Sequence, residues 1–275
     1  MVNVIVTGCS GRMGSAILRF VRDEDEMQLV GATDKAGAPS IGLDAGLMAR
    51  LGPLEVEVCE TLEKSIEVAA GKPSVVIDFT SAEASVLHAR VCAERGVGLV
   101  VGSTGFSTAD KDVVAQAAKK VPVVMAPNMS VGVTLMLNLV AEAAKILGPR
   151  FEPEIMELHH RLKKDAPSGT ALRLAEVIAE SLGEQGERPA LRTSREGNVG
   201  ERTRSEVGVM ALRGGDVVGE HTVFFLGDGE RLELTHRATS RDTFASGAVR
   251  AARWVAGRPA GLYDMLDVLG LKSGS

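Results

Sequence analysis

The sequence predicts an α/β protein, with a doubly wound parallel sheet at the N-terminus followed by an α+β domain that holds an open mixed or antiparallel sheet. Short apolar runs alternate with helical patterns through the first half of the chain, as in a parallel sheet covered on both faces. A glycine-rich turn separates the first apolar run from the first helical pattern, and the second half contains three successive strand patterns. The first domain is therefore expected to be Rossmann-like.

Length and composition limit the function classes. The 275 residues suffice for two modest domains, and 45% hydrophobic with 24% charged residues is ordinary for a globular protein. The net charge of −5 argues against a global phosphate-binding surface, and 3% aromatic residues offer few platforms for stacking on bases. We therefore expect no nucleic-acid partner, and any anion site must be local.

The elements of the first half follow from hydrophobic periodicity and capping residues. Val2–Thr7 is rich in Val and Ile, which is typical of a buried strand, and helical spacing follows it. Thr61 and Ser81 can each cap a later helix. The remaining patterns predict strands over Leu29–Ala32, Val56–Cys59, Val75–Phe79, Leu99–Gly102 and Val121–Ala126, and helices over Gly11–Val21, Thr61–Ala70, Ser81–Arg95 and Thr108–Lys120.

The second half has a different order. Three strand patterns joined by glycine turns favour an antiparallel meander. Residues 183–204 show no clear period and are expected to form a loop. The patterns predict helices over Val131–Leu147, Ser168–Leu182 and Thr243–Val255, and strands over Glu154–His159, Glu206–Leu212, Asp216–Phe225 and Arg231–His236.

No disulfide, metal site or membrane segment is expected. Cys9, Cys59 and Cys92 are far apart and form no Cys-x-x-Cys motif, so neither a disulfide framework nor a zinc site is predicted. The first residues read as a strand entering a turn rather than as a signal peptide. No apolar run approaches about 20 residues, the length that spans a bilayer. We expect a cytoplasmic protein with no membrane partner.

The glycine turn between the first strand and the first helix predicts a diphosphate site. Gly8, Gly11 and Gly14 have the spacing G-x-x-G-x-x-G, and they fall where a strand, a tight turn and a helix N-terminus meet. The unpaired amides and the positive dipole of a helix N-terminus bind phosphate. The alternative is a glycine turn that binds no ligand.

The end of the second strand supplies a second cofactor signal. Asp34 lies twenty residues after Gly14, where an acidic side chain can accept hydrogen bonds from the ribose hydroxyls of NAD. Lys35 or Arg12 could instead meet the 2′-phosphate of NADP. Because both signs of charge are present, we expect either NADH or NADPH to be accepted. The alternative is that Asp34 and Lys35 are a solvated loop pair.

A basic segment predicts an anion site in the second half. Five of the six residues from His159 to Lys164 are basic or titratable, and a helix start at Ser168-Gly169-Thr170 follows them. One carboxylate of a small dicarboxylate could bind the helix end and the other the lysines. His159 could transfer a proton near neutral pH, and Lys163 could hold negative charge or act as an acid. One alternative is that these charges form a solvated face. Another is a zinc site at the pair of histidines, but no further His or Cys lies at ligand spacing.

These motifs resemble those of the dihydrodipicolinate reductase family, which acts in the diaminopimelate and lysine pathway. The resemblance covers nearly the whole chain in family order, and the His-His-x-x-Lys-x-Asp-Ala-Pro-Ser-Gly-Thr-Ala signature is highly specific. The matching segments are Gly8–Gly14, Asp78–Thr80, Gly102–Phe106, Ala126–Gly132, Glu157–Thr170, Val218–Thr222, Thr239–Arg241 and Gly261–Met265.

The resemblance implies reduction of 4-hydroxy-tetrahydrodipicolinate at ring C4 by NADH or NADPH, giving tetrahydrodipicolinate with loss of water. It implies that His159 is the proton donor and Lys163 its catalytic partner, that His160 helps to hold the substrate, and that Gly169 and Thr170 bind a substrate carboxylate. The implied cofactor contacts are Gly8, Gly11, Arg12, Met13, Gly14, Asp34, Lys35, Gly102, Ser103, Thr104, Ala126, Pro127, Asn128 and Met129.

The resemblance also implies an organisation of the chain. Residues 1–129 would form a dinucleotide-binding domain and residues 130–239 a substrate-binding and oligomerisation domain, while helices within 240–275 would pack back on the first domain. The assembly would be a homotetramer joined through sheets of the second domain. Because cofactor and substrate loops belong to different domains, a cleft is expected to close over both.

Two positions depart from the family pattern, and two other functions compete with the predicted one. Ser103 stands where Thr is frequent, and Asp34-Lys35 replaces a Glu-Arg pair, which bears on NADP affinity because Lys cannot fork around a phosphate. One competing function is another nicotinamide dehydrogenase of the aspartate pathway. The other is a dinucleotide-binding sensor without chemistry, which leaves the segment from His159 to Lys163 unexplained.

Overall fold

The computed structural model describes residues 1–183 and 188–272. Part of the expected loop and the last three residues of the C-terminal segment lie outside the described residues. The chain divides into two compact units. Unit 1 comprises Met1–Val131 together with the chain from Asp242 onward, and unit 2 comprises Gly132–Arg241.

Unit 1 is built on a seven-stranded sheet in the order β12-β6-β5-β4-β1-β2-β3, and every strand pair is parallel. This order confirms the predicted doubly wound sheet. The strands are β1 Val2–Thr7, β2 Met27–Thr33, β3 Val58–Cys59, β4 Val75–Asp78, β5 Gly98–Val101, β6 Pro122–Met125 and β12 Gly261–Tyr263. The helices are α1 Arg12–Arg22, α2 Ala45–Met48, α3 Leu62–Val68, α4 Ala82–Arg95, α5 Thr108–Ala118, α8 Asp242–Val255 and α9 Met265–Leu269.

Apolar residues on both faces of the strands explain why helices cover both sides of this sheet. Val4 and Val6 pack in one buried cluster with residues of α1 and α8. Ile5, between them, packs in the other cluster with residues of α3, α4 and α5. Alternate strand residues point to opposite faces, so a run without polar positions buries the sheet on both sides.

Local capping sets the helix starts that the sequence predicts. The Thr61 hydroxyl accepts the backbone N–H of Lys64, and the Ser81 hydroxyl accepts that of Ala84. Gly96 ends α4 in the left-handed region, with φ of 69°. Three short elements, α2, α9 and β12, were not predicted, because three to five residues carry too little periodicity to be recognised.

Unit 2 contains a five-stranded sheet in the order β11-β10-β7-β9-β8. Its elements are α6 Val131–Leu147, which begins at the last residue of unit 1, β7 Glu152–His159, α7 Gly169–Gly183, β8 Ala190–Arg192, β9 Glu206–Arg213, β10 Gly219–Leu226 and β11 Arg231–Ala238. The sheet is mixed: β7 pairs parallel with β9 and antiparallel with β10. One face packs on α6 and α7 around Ile155, Val223 and Ile178.

The predicted meander is wrong at its first turn. β10 and β11 form the expected antiparallel hairpin, but β7 lies between β9 and β10. The glycine turn at 213–215 indicates that the chain changes direction between β9 and β10. It does not indicate that these two strands pair with each other. The predicted loop over 183–204 also contains β8, which pairs parallel with β9.

The α6 segment departs from a further expectation. Val131–Arg150 is one stretch, among the described residues, that is long and apolar enough by length and composition alone to cross a membrane. The expectation that no apolar run reaches this length is therefore wrong. The core helix of a globular protein passes the same test, and Met136, Val140 and Ala144 of α6 are buried in the core of unit 2.

The contact between α8 and the chain after β6 gives a stability prediction. A Cβ atom on Gly247 would overlap the carbonyl oxygen of Met129, a backbone atom that cannot turn away. We expect Gly247→Ala to destabilise the protein by about 1–3 kcal/mol, as overpacking does, measured by urea denaturation. The exposed neighbour Ser246 is the control: Ser246→Ala should change stability by less than about 0.5 kcal/mol, and equal effects would contradict the prediction.

Candidate active site

Parallel pairing in unit 1 brings the loops after β1, β2, β4, β5 and β6 to the carboxyl edge of one sheet. In doubly wound folds, ligands bind at this edge, near the point where the strand order reverses. Here the reversal lies between β1 and β4. The loops are the glycine turn 8–14, Asp34-Lys35, Asp78–Thr80, Gly102–Thr104 and Ala126–Met129.

The glycine turn is a cradle with no room for side chains. Gly8 has a positive φ of 61°, and the Gly11 N–H donates to its carbonyl oxygen at 3.0 Å. A Cβ on Gly14 would overlap that same carbonyl, so only glycine lets α1 start this close to β1. Among the described residues no side chain caps α1 at Gly11, which leaves the first-turn amides of Arg12 and Met13 for an anion.

Asp34 is held in place at the end of β2. Its carboxylate accepts the Lys35 N–H and the Ser40 hydroxyl, both at 2.8 Å. Burial acts to raise the pKa of Asp34, but hydrogen bonds, including one with Ser10 of the glycine turn, leave that pKa below its ordinary value. The carboxylate is therefore ionised and acceptor-only at neutral pH, as contact with a ribose diol requires. Lys35 is exposed beside it.

Asp78 is fully buried and links the loop after β4 to α4 and to the loop after β5. Its carboxylate accepts the Thr80 hydroxyl at 2.6 Å and lies 2.7 Å from Nδ1 of His88, while its carbonyl accepts the Gly102 N–H. Burial acts to raise the pKa of Asp78, but His88 and Thr80 hold it below the ordinary value. The Thr80 methyl lies where a side chain on Gly8 would project. Sequence reasoning assigned no role to Asp78 or His88.

The remaining predicted cofactor residues divide by exposure. Ser103 is buried and its Oγ accepts the Ser85 hydroxyl at 2.9 Å, which places that side chain in the interior. Gly102 lies under the Phe79 ring, with no space for a Cβ. Ala126 and Met129 are buried, whereas Thr104 and Pro127 are exposed and Asn128 is half-buried.

In unit 2 the basic segment is organised by Glu157 of β7, whose side chain is 0% exposed. Arg213 of β9 donates to both carboxylate oxygens, at 2.8 and 2.9 Å. The Ser168 N–H donates at 2.9 Å, and Nδ1 of His159 lies 2.6 Å from the second oxygen. Burial acts to raise the pKa of Glu157, but these partners hold it below the ordinary value.

His159 is buried at the end of β7. Burial lowers its pKa, Glu157 acts in the opposite direction, and the positive charges of Lys163 and Arg213 lower it again, for a net decrease. The ring edge with Nε2 faces Gly219, where any Cβ would come within 2.9 Å of Nε2. At neutral pH the imidazole is therefore mostly neutral.

A carboxylate within the loop compensates part of the positive charge of the basic segment. Lys163 makes a two-oxygen ion pair with Asp165, at 2.9 and 2.8 Å. The sequence prediction gave these charges to an external anion alone. Nδ1 of His160 is buried and has no hydrogen-bond partner within the part of the chain that the structure describes, and its Nε2 lies 3.5 Å from Arg241.

The start of α7 lies beside these residues. The Ser168 hydroxyl caps the helix by accepting the Ala171 N–H at 3.2 Å. Gly169 is exposed, and nothing lies within 4 Å of where its Cβ would be. Thr170 follows in the first turn. The structure thus gathers His159 and the helix end around one carboxylate, and it places Lys163 near enough to His159 for its charge to lower the pKa of that imidazole.

Comparison with known proteins agrees with this geometry. Two family models, described as dihydrodipicolinate reductase N-terminus and C-terminus, match residues 2–129 and 132–269. A 4-hydroxy-tetrahydrodipicolinate reductase of Myxococcus xanthus is 58% identical over 272 residues, 99% of each chain. One from Anaeromyxobacter dehalogenans is 56% identical over 274 residues, 100% of each chain.

The chain belongs to the dihydrodipicolinate reductase family. It is therefore an oxidoreductase that uses a nicotinamide cofactor. The solved structure of a dipicolinate-bound dihydrodipicolinate reductase from Paenisporosarcina sp. TG-14 matches with a TM-score of 0.78 at 27% identity, over 97% of this chain and 98% of that one. A myo-inositol dehydrogenase from Corynebacterium glutamicum, at 13% identity and a TM-score of 0.57, shares the fold.

For this reductase, sequence reasoning missed the residues that support the basic segment. His221 of β10 is buried, meets His159 edge to face at 5.2 Å between ring centroids, and has its Nε2 3.1 Å from the Ser168 hydroxyl. His236 of β11 lies directly across from it. In the sequence, Arg213 is simply an arginine next to a glycine turn. That position does not show whether its guanidinium pairs with a buried carboxylate or is exposed to solvent.

His221 gives a pH prediction. Burial, and then the neighbouring His159, lower its pKa from 6.5 to about 4. Between these pH values the unfolded chain binds a proton that the folded protein does not, so stability falls as pH falls. We expect the free energy of unfolding of the parent to drop by about 1.4 kcal/mol more per pH unit than that of His221→Gln. Parallel curves from urea denaturation at pH 7 to 4 would contradict this.

Proposed function

We propose that this chain reduces 4-hydroxy-tetrahydrodipicolinate, with NADH or NADPH, to tetrahydrodipicolinate with loss of water. The proposal is carried by one observation: His159 and the α7 start share the Glu157 carboxylate, and the charge of Lys163 acts on His159. It agrees with the names of the full-length relatives and with the dipicolinate that one solved neighbour holds. A cationic loop and a helix N-terminus suit a small dicarboxylate.

Substrate binding would use both parts of this group. The backbone amides of Gly169 and Thr170 would hold one carboxylate at the positive end of α7. Lys163 would leave Asp165, which is exposed, and bind the other carboxylate. His160, with a buried and unsatisfied Nδ1 in the described structure, would make a further polar contact with the ring acid.

The chemical step needs a proton as well as a hydride. Loss of water from the 4-hydroxy substrate would leave a conjugated imine. A bound nicotinamide would supply the hydride to C4 of that imine, and the displaced electron pair would move toward the ring nitrogen. His159 would deliver the proton from Nε2, because Nδ1 is engaged by Glu157. The Lys163 ammonium would stabilise the negative charge that develops on the substrate.

The residues of unit 1 fit a dinucleotide. The side-chain-free approach of Gly14 to Gly8 and the uncapped amides of α1 suit a diphosphate, and the ionised Asp34 suits a ribose. Arg12 and Lys35 would meet a 2′-phosphate. Nicotinamide contacts would come from Gly102, Ser103 through its backbone, Thr104, and the segment Ala126, Pro127, Asn128 and Met129.

The domain roles and assembly are part of the proposal. Unit 1 would bind the dinucleotide, and unit 2 would bind substrate and join subunits in a cytoplasmic homotetramer. The face of the unit 2 sheet turned away from Ile155 supports this assembly, since Met156 and Leu212 on it are 41% and 44% exposed. An exposed apolar sheet face is typical of an interface between protein chains.

The turnover of variants at His159 and Lys163 tests the proposal. With the product of dihydrodipicolinate synthase as substrate and NADH oxidation followed by absorbance, we expect His159→Gln and Lys163→Ala each to lower kcat by about 10²-fold or more. NADH binding, measured by fluorescence, should persist, because both residues lie in unit 2.

The adjacent Lys164 is the matched control. It is exposed, and its removal takes the same charge from the same loop. Lys164→Ala should keep kcat within about threefold of the parent. Parent-like turnover of both His159→Gln and Lys163→Ala would overturn the assigned roles, and NADH binding without turnover by the parent would favour the sensor function.

Cofactor selection can be tested at the end of β2. Asp34→Ala removes the acceptor for the ribose hydroxyls, so the Kd for NADH should rise about tenfold while that for NADPH stays unchanged or falls. Lys35→Ala should raise the Kd for NADPH and leave that for NADH unchanged. Equal effects on both cofactors in either variant would contradict this assignment.

A further inference from the structure

We propose that Glu157 and Arg213 are positioning residues for the reaction: Glu157 holds Nδ1 of the His159 imidazole and leaves Nε2, beside Gly219, to exchange the proton, and Arg213 holds Glu157 in place. The inference rests on the proposed function through the role of His159 as proton donor. It assigns a role to Glu157, which lies in a segment that matches the family but received no role from the resemblance, and to Arg213, which lies outside the matching segments.

The hydrogen bonds around Glu157 determine which nitrogen of His159 carries a proton. The buried Glu157 carboxylate receives two N–H groups from Arg213 and one from Ser168, which are donors only. An ionised carboxylate accepts and cannot donate, so Nδ1 of His159, 2.6 Å away, must carry a proton. The neutral imidazole then has its lone pair on Nε2, and protonation there generates the acid that the reaction needs.

Glu157 also links His159 to the start of α7, where we propose that the substrate binds. The oxygen of Glu157 that faces away from His159 accepts the Ser168 N–H, and Ser168 also caps α7. One carboxylate therefore sets the distance from His159 to the amides of Gly169 and Thr170. A site held by one rigid, buried group keeps donor and substrate in register.

The other positioning residue is Arg213. Besides its two bonds to Glu157, it donates to the backbone carbonyls of Leu212 and Asp165 at 2.6 Å each. The Asp165 contact ties the strand β9 to the loop that carries Lys163. Arg213 also compensates the buried charge of Glu157, which would otherwise be strongly unfavourable.

Opposed charges around His159 make the roles separable by pH. Glu157 faces it from β7, Arg213 from β9, Lys163 with its partner Asp165 from the loop, and His221 from β10 with His236 behind it on β11. The negative charge of Glu157 raises the pKa of His159, and the positive charge of Arg213 lowers it. Removing each should therefore move the titration of His159 in opposite directions.

The pH dependence of kcat is the first measurement. A proton donor is active below its pKa, so kcat should fall as pH rises through that value. We expect Glu157→Gln to lower kcat by about tenfold or more and to move this break to lower pH, and Arg213→Gln to move it to higher pH. Arg213→Lys keeps the charge and should shift the break less.

The matched control lies on the same strand. Glu154 also receives a two-pronged arginine, Arg195, at 2.9 and 2.7 Å, but its side chain projects from the opposite face of β7. Glu154→Gln should leave the pH of the break unchanged. Loss of activity in Glu157→Gln with an unmoved break, or shifts in the same direction for Glu157→Gln and Arg213→Gln, would overturn the proposal.

Nitrogen-15 NMR of the imidazole groups gives a readout that does not depend on turnover. The His159 signals are assigned by their loss in His159→Gln. In the parent above the pKa, we expect a protonated Nδ1 and an unprotonated Nε2; a protonated Nε2 would overturn the proposal even if Glu157→Gln does not fold. A parent that shows the expected tautomer but does not reduce the substrate would contradict the proposed function and leave the positioning of His159 intact.

Discussion

A carboxylate removed from water must have every acceptor site filled, and unit 2 of this protein depends on that requirement at Glu157. Removing it from solvent is unfavourable unless donors surround it. Those donors come from β9, from the end of β7 and from the residue before α7, namely Arg213, His159 and Ser168. Elements distant in sequence thereby meet at one side chain. The positions of His159, of the loop that carries Lys163 and of the first amides of α7 follow from this single group.

Unit 1 depends on a different constraint, which is close approach of backbone atoms. Gly14 must lack a side chain for α1 to start against Gly8, and Gly102 must lack one to lie under Phe79. Asp78 then bonds to Thr80, His88 and the Gly102 N–H, and this bonding fixes the loop after β4 relative to α4 and to the loop after β5. The resulting cradle exposes amides instead of side chains, which suits a ligand recognised through its phosphates.

The sequence predicts elements well where local chemistry decides them. Val2–Thr7 and Ser81 are such cases, since a buried apolar run and a capping hydroxyl act within a few residues. It predicts pairing poorly, because nothing near Gly214 indicates that β7 lies between β9 and β10. Of the site, the residues that we propose to contact ligands were predicted from motifs. Their supports could not, since Glu157 and Arg213 become a buried pair only through tertiary structure.

The central claim is that the loop after β7 and the start of α7 form one dicarboxylate site around Glu157. A crystal structure of this chain with NADH and pyridine-2,6-dicarboxylate tests it most directly. We expect one carboxylate on the amides of Gly169 and Thr170, the other on Lys163 with its ion pair to Asp165 broken, and His159 still bonded to Glu157. An inhibitor bound away from these residues, with Lys163 still on Asp165, would contradict it.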